Sequence, residues 1–141
     1  FTAVAEKKTV PDNVAPGNEL PVGWRNMLAE RTENLAHAWR SSGAWEGDRE
    51  FLGAVTSAES LGIVTLDELV LHGWDLARAT GQRFHAAPED IQTCLGFAAA
   101  MSEPGVEREG LYGPVVPVPE NGSDFDRLLC LAGRNPKWST A

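Results

Sequence analysis

Two residues four apart, Glu68 and His72, carry the clearest chemical signal in the sequence. On a helix such a pair projects from one face, and a carboxylate and an imidazole at that spacing can reach one divalent metal ion. Two plainer readings stand beside this one. Glu68 could be the reciprocal half of a capping box opened by Thr65, or Glu68 and His72 could simply bond to each other. At roughly 100° per residue, Leu66, Leu69, Val70, Gly73 and Ala77 fall on one side, with Asp67 and Arg78 marking the expected solvent stripe. Glu68 and His72 lie away from that stripe, beside Leu61, Thr65, Leu76 and Ala79, where each would need a partner because burying either alone is costly.

Around the pair, Asp75 lies three residues after His72 and Arg78 three after Asp75. Asp75 is therefore expected either to make a surface ion pair with Arg78 or to orient His72 from behind. Trp74 reads as core by default, with a pocket wall as the other use of its indole. A catalytic zinc ordinarily takes three protein ligands and a water, and neither His37 nor His85 has a spacing that selects it as the third. His37 reads as a packed or edge histidine of an early helix, His85 as an exposed loop residue. No G-x-S-x-G elbow, Walker loop or G-x-G-x-x-G is present, and Cys94 and Cys130 stand outside any C-x-x-C arrangement. The two thiols fit small apolar side chains in a reducing cytoplasm.

The elements that must position these residues are helical. Apolar residues recur at helical spacing over 24–40, over a segment ending near Thr80 that starts at 58 or at 65, over 88–101, and over 123–132. Pro88 with Glu89 and Asp90 suits a helix start, Ser123 with Asp126 an N-cap, and Gly81 and Gly133 the positions just past helix ends. Pro11, Pro16, Gly17, Pro21 and Gly23 make 9–23 a connecting loop, and 44–55 carries at most a short extended piece. The three prolines among residues 111–119 exclude a central strand there. The expectation is one all-α domain over 1–141, a bundle with irregular loops. Twenty acidic against twelve basic residues, a net charge of −8, argue against a nucleic-acid partner, and no apolar run reaches the length of a membrane span.

The run from Glu68 through His72-Gly73-Trp74-Asp75 to Ala79-Thr80-Gly81 resembles the signature of the mycothiol-dependent maleylpyruvate isomerase type of metal-binding domain, in the DinB-like superfamily. Leu111-Tyr112-Gly113-Pro114 with Val115 to Pro119, then Asp126-Arg127-Leu128-Leu129 and Gly133-Arg134-Asn135-Pro136-Lys137-Trp138, is similar to the closing segment of a small bacterial subfamily of that group. The resemblance implies a DinB-like four-helix bundle holding a divalent ion, usually zinc, through a histidine of the first long helix together with Glu68 and His72. It implies too that the first helix, with the third ligand, is truncated from this chain, since nothing here matches that histidine. The function it implies is a metal-dependent transferase or isomerase using a low-molecular-weight thiol, with Asp75 and Trp74 as orienting and pocket residues. Maleylpyruvate itself is not expected as substrate, because that isomerase uses a further carboxy-terminal domain. The rival reading is a non-catalytic binding or oligomerisation module with a vestigial metal site. Either reading leaves an apolar groove that a homodimer would cover.

Overall fold

The computed structural model describes residues 1–9, 19–106, 108 and 110–140. These are mostly helical, with one short two-stranded sheet. The connecting loop expected over 9–23 lies largely outside the described residues. The chain divides into two compact units, Phe1–Gly62 and Ile63–Ala141.

The first unit opens with a single helical turn, α1 (Thr2–Ala5), which buries Val4 and Ala5. Helix α2 (Trp24–Trp39) begins after Gly23, which sits in the left-handed region, and buries only Ala38 along its length. A 3₁₀ turn, Ser42–Trp45, follows. Strands β1 (Asp48–Phe51) and β2 (Ala54–Ser57) pair antiparallel, with Asp48 opposite Ser57 and Phe51 opposite Ala54. Leu52 and Gly53 both take positive φ between them, the requirement of a two-residue type I′ turn. Only a short extended piece is legible at this place in the sequence, because β1 and β2 lack a clean apolar alternation. Trp39 and Trp45 pack with ring centroids 4.9 Å apart, and the Trp45 indole donates to the Trp39 carbonyl at 2.8 Å.

Helix α3 (Ala58–Ala79) runs on into the second unit, where it is joined by α4 (Pro88–Ala100) and α5 (Asp124–Leu131). Their core is Val70, Leu71 and Trp74 of α3, Cys94 and Ala98 of α4, Leu128 and Leu129 of α5, with Tyr112 and Ala132. Pro88 occupies the first turn of α4. Ser123 and Asp126 form a reciprocal capping box at the start of α5, as their spacing predicts. Residues 111–119 form no strand, and the amide of Val116 donates to the Cys130 carbonyl at 3.0 Å.

Helices α3 and α5 end alike. Gly81 and Gly133 adopt φ of 69° and 80°. Each helix then closes with the paired bonds of a Schellman motif: Gln82 to the Ala77 carbonyl and Gly81 to Arg78 in one, Arg134 to Leu129 and Gly133 to Cys130 in the other. The first motif turns the chain back along α3 toward Phe84. The second delivers Arg134. Gly133 also lies against Gly113 so closely that a Cβ on it would come within 2.7 Å of the Gly113 Cα. This backbone crossing sets Tyr112 and Arg134 side by side in sequence terms, each one residue from a glycine of the crossing.

The face of α3 differs from the expected one. Asp67, placed on the solvent stripe by its wheel position, is 3% exposed, whereas Leu69, placed in the core, is 47% exposed. The buried residues of α3 are Ala58, Leu61, Gly62, Thr65, Asp67, Val70, Leu71, Trp74 and Ala77. The rotation has a physical cause: the Tyr112 hydroxyl gives Asp67 a buried donor, so the carboxyl can enter the core. Arg78 is only half-buried; its guanidinium lies over the Trp74 ring and donates to the Pro136 carbonyl at 3.2 Å. Trp74 is core, as its default reading has it.

Candidate functional site

Glu68, His72 and Asp75 do meet on one face of α3. His72 Nε2 lies 3.1 Å from Glu68 Oε2, and His72 Nδ1 lies 3.0 Å from Asp75 Oδ2. Their environment is more open than the wheel suggests, with the His72 and Glu68 side chains 65% and 38% exposed. Solvent, and not a buried partner, offsets most of the cost of charge here.

Asp75 does not pair with Arg78. Its carboxylate takes a two-pronged bond from Arg134, Nε to Oδ1 at 2.9 Å and Nη2 to Oδ2 at 2.8 Å. Such fork-to-fork pairing fixes both groups in orientation. Burial alone would push the Asp75 carboxyl up, but the bonds and charge of Arg134, with those of His72, hold it below its ordinary value. Asp75 is therefore an ionised, oriented acceptor against the Nδ1 side of His72. Arg134 is the residue that sequence reasoning does not pair with this face: it comes from 59 positions away, and only the Gly-Arg step closing α5 hints at a directed side chain.

The ring of His72 thus faces a carboxylate oxygen at each nitrogen. A neutral imidazole carries one proton and one lone pair. With Nδ1–H given to Asp75, the Nε2 lone pair would confront the Glu68 carboxylate, and two lone pairs repel unless a positive centre joins them. That centre is either a second ring proton or a metal ion. Zinc bonds to imidazole nitrogen and carboxylate oxygen run at about 2.0–2.2 Å, so two donors 3.1 Å apart can share one ion. A carboxylate behind the ligating imidazole is the usual support of such a ligand. The donors present fit half of a metal site. Among the described residues no group of three or more His, Cys, Asp or Glu side chains forms a metal-binding cluster. His37 is exposed at the last turn of α2 and is not packed, while His85 is an exposed loop residue, in keeping with its sequence reading.

Beneath this face sits a second, buried constellation. Tyr112 Oη donates to Asp67 Oδ2 at 2.6 Å, while Asp67 Oδ1 is buried with no hydrogen-bond partner. Burial raises the Asp67 carboxyl above its ordinary value, against the lowering effect of the Tyr112 bond. Burial likewise raises the Cys94 thiol to about 12, with the Asp67 charge adding to it. Tyr112 is itself held from behind: Arg108 lies over its ring, donates to the Gly113 carbonyl at 2.7 Å and also bonds the Leu131 carbonyl. The raised Cys94 thiol cannot serve as a nucleophile near neutral pH, and this cluster reads as structural support of α3.

No protein-family model, curated protein or solved structure matches the chain. Among the described residues no helix is long and apolar enough to cross a membrane.

Proposed function

We propose that the chain is a divalent-metal-binding domain of the DinB-like four-helix type, with Glu68 and His72 as two ligands of a zinc-class ion and Asp75, braced by Arg134, orienting His72. The observation that carries this reading is the 3.1 Å approach of Glu68 Oε2 to His72 Nε2 while Asp75 occupies Nδ1. A bound ion would lower the pKa of a coordinated thiol or water and supply a nucleophile near neutral pH. A thiol-dependent transferase or isomerase working in the cytoplasm is the activity this arrangement suits, and a low-molecular-weight thiol is the cosubstrate we assign.

On this reading a polypeptide segment is laid over the same face. Leu69 and Leu76 flank His72 at three before and four after and are 47% and 58% exposed, an apolar border that suits a covering helix. The partner we assign is a second copy of the chain. A second reading has its own support: an imidazolium at His72 satisfies Glu68 and Asp75 without any ion, and the face would then serve association alone.

Metal analysis of protein purified without chelator separates the two. The metal reading expects zinc or nickel in fixed ratio to a sedimenting dimer, lost in Glu68→Gln and in His72→Ala. Because His72 is mostly exposed and Glu68→Gln keeps the size and hydrogen-bonding capacity of a half-buried side chain, these variants are expected to keep their fold to within about 1 kcal/mol. Metal-free wild type, or metal unchanged in both variants, would overturn it.

A further inference from the structure

At the far end of α3 a cleft of about 290 Å³ is lined by Trp74, Arg78, Gln82, Arg83, Phe84, His85 and Phe125. None of these is Glu68, His72 or Asp75; the cleft shares one residue with the metal reading, Trp74, a pocket residue in the implied metal site. Its walls are built rather than incidental. The Schellman turn at Gly81 brings the chain back so that Phe84 lies on the backbone of α3 at Gly73, where a Cβ would come within 2.6 Å of the ring. Phe84 in turn stacks on Phe125 of α5 at 5.9 Å between centroids. Trp74 closes the apolar side from the core.

The polar side is cationic in a chain of net charge −8. Arg78 and Arg83 line the cleft with His85, and no Asp or Glu does. Neither arginine forms an ion pair among the described residues. Of the acidic side chains near the cleft in sequence or on α5, Asp75 is committed to Arg134 and His72, Asp124 to Gln92 and Arg127, and Asp126 to the Ser123 cap. Glu89 and Asp90, in the first turn of α4, do not line the cleft. Arg78 Nε is buried without a hydrogen-bond partner. Guanidinium groups left without a carboxylate beside an aromatic wall match a ligand that carries its own carboxylate on a flat apolar body.

We propose that this cleft binds a small aromatic carboxylate, its ring against Trp74, Phe84 and Phe125 and its carboxylate toward Arg78 and Arg83. Size narrows the class. Ligand pockets commonly span about 300–1,000 Å³, and a cleft of about 290 Å³ matches a single ring.

Benzoate is the probe, with benzyl alcohol as the uncharged ring and inorganic phosphate as the charge without a ring. Each is titrated into the full chain, reading NMR shifts of the Trp74 indole and of the Arg83, Phe84 and His85 amides. Benzoate is expected to shift these signals saturably, benzyl alcohol and phosphate far more weakly. Arg83→Gln, at an exposed residue, is expected to weaken benzoate roughly tenfold or more with an otherwise unchanged spectrum. Arg83→Lys should fall between the two, because it keeps the charge and loses the fork. Equal response to benzoate and benzyl alcohol, phosphate binding as tightly as benzoate, or benzoate affinity unmoved in Arg83→Gln would each overturn the proposal.

Discussion

Gly133→Ala is expected to lose about 2–5 kcal/mol of stability, from a left-handed backbone cost of about 1–2 plus overpacking of about 1–3. The first part arises at φ 80°, which an L side chain resists. The second arises because the new Cβ would come within 2.7 Å of the Cα and carbonyl carbon of Gly113. Those are backbone atoms, and they cannot rotate aside as a side chain would. Against a typical total of about 5–15 kcal/mol, the loss is large. Gly81→Ala supplies the control. Gly81 ends α3 in the same conformation at φ 69° but has nothing within 4 Å of where its Cβ would sit. It should therefore show only the backbone cost. Urea melts read the difference as a lower midpoint with little change in slope. Equal losses in the two variants would mean that the Gly113–Gly133 crossing contributes nothing. Since Tyr112 and Arg134 each adjoin a glycine of that crossing, Gly133→Ala should also loosen the Arg134 bond to Asp75.

Tyr112→Phe is expected to cost about 1–3 kcal/mol at neutral pH. It removes the 2.6 Å donor of Asp67 Oδ2 and leaves a buried carboxyl whose other oxygen already lacks a partner. The penalty should shrink as pH falls. Burial raises the folded-state Asp67 carboxyl above its ordinary 3.8, so its contribution is fully present below 3.8 and is lost as pH rises through the folded value. Asp75 has the opposite sign. Its carboxyl is lowered in the folded state, so its contribution is present above 3.8 and is lost as pH falls through the folded value. Asp67→Asn isolates the first effect by keeping an acceptor for Tyr112 without a charge. Its stability relative to wild type should improve from pH 4 to pH 7. Parallel pH profiles for wild type and Asp67→Asn would sink this account.

The helices were legible because their signals are local. Pro88, the Ser123–Asp126 pair, Gly81 and Gly133 each act within a turn of where they stand, and the structure places them at the helix ends as read. The approach of Glu68 to His72 and of His72 to Asp75 is local too, being three and four residues along one helix. What escaped is what depends on distant partners. Asp67 reads as a surface residue until Tyr112, 45 positions on, supplies its hydroxyl. The Asp75–Arg78 pairing is plausible by spacing and loses to Arg134, whose fork satisfies both carboxylate oxygens. The hairpin was only partly legible because its short strands alternate in neither polarity nor size, and its turn uses Leu52 at positive φ, a conformation leucine rarely adopts.

The two thiols give the molecule a clock. Cys94 and Cys130 are the chain's only cysteines; both are fully buried and both belong to the second unit. With the Cys94 thiol raised to about 12, a reagent that attacks thiolate finds almost none in the closed state. Alkylation must then wait for that unit to open, while the cysteine-free first unit leaves no mark on the signal. At reagent concentrations where alkylation outpaces reclosing, the labelling rate of the unaltered chain thereby counts how often one half of it breathes; at lower concentrations it reads the fraction of time that half is open.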